Sequence, residues 1–136
     1  MDTRDLLTIG ELAERGEVNA QTIRYYERCG LLPKPRRSPS GYRLYDQNAA
    51  KRLSFVRRAQ ALGFSLREIN DLLSLRLRAD TTCADIRDAA RQKIASVDGK
   101  LAELNRIRAA LVRLARSCRG SGPKSECPIL EALDQD

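Results

Sequence analysis

Apolar positions along the first 78 residues recur at helical spacing in short runs, and a longer and different rhythm follows. Thr8-x-x-Glu11 has the spacing of a capping box ahead of Ile9, Leu12 and Ala13. Gly16 followed by Val18 reads as the stop of this first helix, about eight residues long. Asn19 is placed to cap a second helix in which Ile23, Tyr26 and Cys29 share a face, until Gly30 and Pro33 end it. Two short helices joined by a tight turn predict a helix-turn-helix. The stretch LLPKPRRSPSGYRLYD then reads as a wing, with Tyr-Arg-Leu-Tyr after Gly41 forming one strand of a short hairpin. Asp46 caps a predicted third helix with Ala49, Leu53, Val56, Ala59 and Leu62 along one stripe, closed by Gly63, while Phe55 lies off the stripe. Ser65-x-x-Glu68 is a second capping box and opens a fourth helix through Ile69, Leu72, Leu73 and Leu75.

After Arg78 the stripe becomes long. Thr82-x-x-Asp85 signals a helix start, and apolar residues follow at Ile86, Ala90, Ile94, Val97, Leu101, Leu104, Ile107, Leu111 and Leu114. Their mean step is about 3.5 residues, the period of a coiled-coil seam. Gly99 inside this helix costs about 1 kcal/mol relative to Ala, so packing must supply its stability. The helix could lie along its own domain, but the first half is too short to cover such a seam, and dimerisation is the expectation. The tail begins as a Gly/Ser/Pro loop, and Pro128 suits the first turn of a last helix ending at Leu133, with Cys127 at its start. The expected organisation is therefore a mainly α chain: residues 1–78 a winged helix-turn-helix, 79–118 a coiled-coil helix, and 119–136 a loop with a short terminal helix.

The 136 residues hold 25 Lys and Arg against 18 Asp and Glu, for a formal charge of +7, with four Cys, no His and no Trp. Without His the commonest general base is missing, along with the usual partner of a catalytic Ser or Cys, so an enzyme is not expected. No apolar run is long enough to span a bilayer and the N-terminus lacks a secretory pattern, so the expected location is the cytoplasm, away from membranes, with reduced thiols. The positive excess lies in the first half: residues 1–78 carry +6 and residues 79–136 carry +1. A polyanion such as double-stranded DNA is one natural partner of that half, and a merely solvated basic surface is the other explanation.

The cysteines sharpen the second half. Cys83 opens the long helix, Cys118 closes it, and Cys127 lies nine residues further on. A helix from 83 to 118 is about 50 Å long, so Cys83 and Cys118 cannot meet within one chain. In an antiparallel pair, Cys83 of one chain lies beside Cys118 and Cys127 of the other. Three thiols without imidazole favour a thiophilic ion over Mg, Ca, Mn or Ni. Zinc is less well served, since structural zinc usually takes four ligands, although water or a hydroxyl could complete its shell. Cys83 and Cys127 stand at predicted helix N-termini, which stabilise anionic sulfur. A Cys118–Cys127 disulfide fits a short loop but not a reducing compartment. Cys29 reads as a small buried hydrophobe.

The segments LTIGELAERGEVNAQTIRYYERCGLLPKPRRSPSGYRLYD and FVRRAQALGFSLREI, followed by the long helix, closely resemble the MerR family of transcriptional regulators over essentially the whole chain. The resemblance implies a winged-helix DNA-binding domain, an antiparallel coiled-coil homodimer and a C-terminal effector site. It also implies a mechanism: the dimer sits on an over-long promoter spacer, represses without effector and, with effector bound, distorts and untwists the DNA so that RNA polymerase engages both promoter elements. Carried over by position, Thr22, Arg24 and Tyr25 fall on the recognition helix, Arg37, Tyr42 and Arg43 on the wing, and Arg57 on the third helix. Such Arg and Tyr side chains chiefly make phosphate contacts, which position the protein. Cys83 with Cys118-x8-Cys127 is similar to the mercury(II) regulators of the family, in which three thiolates from two protomers bind Hg(II). Lead(II) and cadmium(II) sensors, some with the same three Cys, are the rival reading. Copper(I) sensors lack a Cys at position 83, and zinc sensors use additional Cys and His in the loop. Iron-sulfur sensors need four clustered Cys and drug sensors a large C-terminal domain, and this chain has neither. From another class, a metal-sequestering or thiol-redox protein bound non-specifically to DNA also fits the composition, whereas a thiol oxidoreductase lacks its Cys-x-x-Cys.

Overall fold

The computed structural model describes residues 6–135. In chain order it contains α1 (Ile9–Gly16), α2 (Ala20–Arg28), β1 (Arg36–Arg37), β2 (Arg43–Leu44), α3 (Gln47–Ala61), α4 (Leu66–Leu77), α5 (Cys83–Ser117), a 3-10 turn (Lys124–Glu126) and α6 (Pro128–Leu133). The chain divides into two compact units, one ending at Ile86 and the other beginning at Arg87.

Each start in the first unit is made by the predicted cap. The Thr8 and Glu11 side chains complete a reciprocal box at α1, with Thr8 Oγ1 accepting from the Glu11 amide at 3.2 Å and Glu11 Oε1 accepting from the Thr8 amide at 3.1 Å. That amide, with the Thr8 hydroxyl, holds the Glu11 carboxyl below its ordinary range. Asn19, Asp46 and Ser65 accept amide hydrogen bonds at the starts of α2, α3 and α4. The caps fix where the apolar stripes begin, and the stripes then meet. Leu12 and Ala13 of α1, Ile23 and Tyr26 of α2, Leu53 and Val56 of α3, and Ile69 and Leu73 of α4 form one buried core, joined by Leu31, Leu32 and Tyr45. The wing is a two-stranded antiparallel ribbon with Arg36 opposite Leu44 and Arg37 opposite Arg43.

Tyr45 ties the wing's base to three other segments. Its backbone pairs with Leu7 through Tyr45 N–H to Leu7 O at 2.8 Å and Leu7 N–H to Tyr45 O at 2.6 Å. Its phenol is buried and donates a hydrogen bond to Glu27 of α2, and the next residue, Asp46, caps α3. Burial first, and the Glu27 carboxylate second, push the Tyr45 phenol well above its ordinary value.

Two details depart from the sequence expectation. The stop of α1 is Glu17, the non-glycine residue with positive φ (56°) among those described, and not Gly16, which is still helical. Gly16 serves packing instead: a Cβ there would stand 2.3 Å from Leu53 Cδ2. Leu62, expected on the buried stripe of α3, is 71% exposed. The helix ends at Ala61, Gly63 turns with φ of 91°, and Phe64 packs against the core.

α5 begins four residues before the second unit, runs unbroken for 35 residues and contains no buried residue. Leu101 is 53% exposed and Leu104 61%, so the apolar stripe predicted for this helix is uncovered. Gly99 sits in the helix with open space around its Cα. Among the described residues no helix is long and apolar enough to cross a membrane.

Neighbouring substitutions in α1 should have opposite signs. Gly16→Ala crowds buried Leu53 and is expected to destabilise the protein by about 1–3 kcal/mol, whereas Glu17→Gly relieves a left-handed residue and is expected to stabilise it by up to about 1 kcal/mol; urea unfolding checks both. The raised Tyr45 pKa carries its own sign. The folded state holds the phenolic proton more tightly than the unfolded chain does. Its contribution is therefore whole below the unfolded value of about 10 and is lost as pH rises above it. Unfolding measured from pH 8 to 11 should show a steeper alkaline loss in the wild type than in Tyr45→Phe.

Candidate nucleic-acid interface and thiol site

The residues expected to meet DNA fall on three elements of the first unit. On α2, Arg24 and Tyr25 are exposed, and the Arg28 guanidinium lies 5.8 Å from the Tyr25 ring centroid. A hydrogen bond with the Cys29 side chain raises the Tyr25 phenol above its ordinary value. Thr22 is half-buried, and its hydroxyl donates to Asn19 Oδ1 at 2.9 Å. That bond commits Thr22 to building the start of α2 as well as lining it.

The wing is a closed turn with a protruding tip. Ser38 N–H donates to Tyr42 O at 2.8 Å, Gly41 N–H to Ser38 O at 2.9 Å, and Arg37 Nη1 to Gly41 O at 3.0 Å. Tyr42 at the tip is 72% exposed, and Arg43 on β2 is half-buried. Arg57 on α3 is exposed. Among the described residues, Arg24 and Arg57 have no acidic partner. The basic residues of this stretch are not all available. Arg52, one of ten Lys and Arg from Arg24 to Arg58, donates from Nε to the Leu31 carbonyl at 3.0 Å and stitches α3 to the turn after α2. Asn70 does the same from α4, donating to the Cys29 carbonyl at 3.1 Å. Sequence spacing does not announce either role, because the acceptors are backbone carbonyls in a turn.

The thiols lie where the helix ends place them. Cys83 is the first residue of α5 and is exposed. It follows Thr82, whose hydroxyl accepts from the Asp85 amide at 3.3 Å while Asp85 accepts from the Thr82 amide at 2.9 Å. Cys118 follows the last residue of α5, and Cys127 precedes Pro128 at the start of α6. Both are half-buried and outside any disulfide. They line one hollow of about 770 Å³ formed by the loop, together with Arg119, Lys124 and Glu126. The Gly120 amide donates to Cys118 Sγ at 3.4 Å. The loop reaches this shape through Gly120 and Gly122, with φ of 75° and 103°. Cys83 stands at the far end of a 35-residue helix from Cys118. Among the described residues of one chain, no three Cys, His, Asp or Glu side chains converge to hold an ion. The donor chemistry fits a soft ion, but one chain supplies two of the thiols together and not three. Cys29 is half-buried against the core, as a small apolar side chain would be. Arg119 and Lys124 were legible only as charges in the loop between two Cys; their shared hollow appears once the loop is folded.

Comparison with known proteins agrees with this arrangement. Residues 7–76 match the MerR HTH family regulatory protein family, and residues 50–114 match the family described as MerR, DNA binding. A mercuric resistance operon regulatory protein of Bacillus cereus is 45% identical over 125 residues, covering 92% of this chain and 95% of its own. The crystal structure of the transcription regulator PbrR691 from Ralstonia metallidurans CH34 in complex with lead(II) superposes with a TM-score of 0.84 at 40% identity, covering 93% of this chain and 98% of that one. The dual function transcriptional regulator MerR of Bacillus megaterium MB1, in complex with mercury(II), gives a TM-score of 0.76 at 40% identity, covering 95% and 100%. With the capped helix-turn-helix, the wing, the long helix and these matches over nearly its whole length, the chain belongs to the MerR family of transcriptional regulators.

Proposed function

We propose that this protein is a mercury(II)-responsive regulator that binds promoter DNA as a homodimer. It represses without the ion and activates with it by distorting the DNA for RNA polymerase. The observation that carries this reading is the placement of three thiols, without His, at the two ends of a helix that buries nothing of its own. The apolar stripe of α5 is nearly palindromic. Turning the helix end for end sets Ala90 level with Leu111, Ile94 with Ile107 and Val97 with Leu104, and the same operation sets Cys83 level with Cys118. A second copy packed antiparallel therefore covers apolar residues with apolar residues and delivers Cys83 of the partner subunit to the hollow that holds Cys118 and Cys127. One interface supplies both the missing core and the missing ligand.

Three thiolates around a divalent ion leave a net charge of minus one and no hard donor, which suits mercury(II) and leaves zinc short of its usual four ligands. When bound, the ion supplies a link between the two protomers at each end of the paired helices. Lead(II) is the second reading, favoured by the 0.84 TM-score of the lead-bound regulator. On the DNA side, Arg24, Arg37, Arg43 and Arg57 contact phosphates, and Thr22, Tyr25 and Tyr42 complete the reading surface from the helix and the wing tip.

Two experiments test the reading. Titration of the reduced dimer with mercury(II), lead(II), cadmium(II) and zinc(II) in competing thiol should show thiolate-to-metal absorption at the lowest concentration for mercury. Cys83→Ser, Cys118→Ser and Cys127→Ser should each lose that band and the transcriptional response while still footprinting the promoter. Equal competition by lead would reassign the effector, and loss of the footprint in all three variants would make the thiols structural. Arg24→Ala and Arg57→Ala should each weaken promoter binding and lower the slope of log K against log salt by about one. An unchanged slope in both would remove them from the interface.

A further inference from the structure

Most polar side chains of α2 are already committed within the fold. Ile23 and Tyr26 turn to the core, and Gln21, Arg24, Tyr25 and Arg28, three or four residues apart in turn along the helix, share the exposed face. The Thr22 hydroxyl donates to Asn19 Oδ1, which also accepts from the Thr22 amide at 2.8 Å. The Tyr26 phenol donates to Gln60 Oε1 at 2.7 Å, Glu27 accepts from Tyr45, and Arg28 lies over the Tyr25 ring. Arg24, a cation without an acidic partner among the described residues, is assigned above to phosphate.

Gln21 is what remains. It is the second residue of α2, it is exposed, and its side chain has no hydrogen-bond partner among the described residues. In a helix-turn-helix the N-terminal residues of the second helix are the ones that reach base edges in the major groove. The Gln21 amide carries a donor beside an acceptor and no charge, so the phosphates do not draw it to the backbone as they draw a cation. Among the four bases only adenine offers, on its own major-groove edge, the matching acceptor N7 beside the donor N6. Resting on the DNA-binding reading above, we propose that Gln21 is a base-reading residue, its amide donating to N7 and accepting from N6 of one adenine in each half of the promoter site.

This assignment divides two tasks along one helix. Arg24 holds the dimer to any duplex and contributes to the salt dependence of binding, because a cation on a phosphate releases counterions. Gln21 releases none, so its contribution depends on sequence and not on salt. Two copies related by a two-fold axis place the adenine once in each half-site, on opposite strands.

The test is selection of duplexes from a randomised pool by the reduced full-length protein, wild type against Gln21→Ala, followed by affinity measurement on the duplex the wild type selects. The wild type should fix one A·T pair in each half-site that Gln21→Ala leaves unfixed, with the other selected positions unchanged. On the selected duplex Gln21→Ala should bind about tenfold more weakly, with the same slope of log K against log salt as the wild type. Replacing that adenine by 7-deazaadenine, which has C–H in place of N7, should weaken the wild type about fivefold and leave Gln21→Ala unchanged. Arg24→Ala is the contrast, expected to weaken all duplexes alike and to lower the slope. Alanine is a strong helix former at an exposed position, so α2 is kept in the variant. Identical selected sites for wild type and Gln21→Ala, or a wild type indifferent to 7-deazaadenine at every adenine, would overturn the base contact while leaving promoter binding standing. If the wild type selects no sequence, the promoter-binding reading fails and the role of Gln21 falls with it.

Discussion

A 35-residue helix without one buried residue is the constraint on which the rest depends. An isolated helix in water is marginal at best, and a glycine near its middle makes it weaker. Its stability has to come from covering Ile94, Val97, Leu101, Leu104 and Ile107, which stand 40–61% exposed. A second copy is the partner whose apolar pattern matches when reversed, because the stripe reads nearly the same from either end. The consequence reaches well beyond stability. Whatever pairs the helices also decides which end of one chain meets which end of the other, and the thiols are at the ends.

The first unit is built on a different economy, with a core drawn from its own residues between Leu12 and Leu73 and polar contacts at its turns. Tyr45 shows how segments of that unit are tied together: it closes the pairing with Leu7, holds Glu27 of α2 and hands the chain to the Asp46 cap of α3. A recognition helix and a wing contact a duplex together only if the angle between them is fixed. A buried phenol on a half-buried carboxylate fixes it better than two exposed loops could, since a hydrogen bond to a charged group is worth about 1.5–3 kcal/mol. The same economy explains why Arg52 and Thr22 are spent on carbonyls and caps. Basic composition alone overstates the number of side chains left for phosphate.

The helices and their caps were legible in the sequence because each depends on local chemistry. Thr8-x-x-Glu11, Asn19, Asp46 and Ser65-x-x-Glu68 place their starts from side chains within one turn. The apolar stripes then name the core almost residue by residue. What failed was tertiary. Gly16 looks like a stop, but whether a glycine serves a turn or a close approach depends on Leu53, thirty-seven residues away. Leu62 continues the stripe in the sequence, yet the chain turns at Gly63 and gives its place to Phe64. For the thiol site, the sequence indicated three cysteines at helix ends but not the hollow, because its shape depends on left-handed Gly120 and Gly122 and on where Arg119 and Lys124 fall once the loop closes.

In the proposed reading, selection of a metal by this loop would follow from charge as much as from softness. With the two thiolates of one chain alone, a divalent ion would be neutral. In the proposed dimer site, the partner's third thiolate would make the site anionic. An anionic site in a low-dielectric interior would be costly, but this loop is largely exposed, sets Arg119 and Lys124 against Glu126, and gives Cys118 a backbone amide as donor. The added negative charge is thereby offset by groups that do not themselves bind metal. A fourth ligand would raise the charge further and has no obvious source, since no imidazole exists in the chain and Glu126 does not converge with both cysteines into a metal-holding group. In the proposed dimer site, coordination would stop at three for want of donors, and ions that tolerate three soft ligands would be favoured.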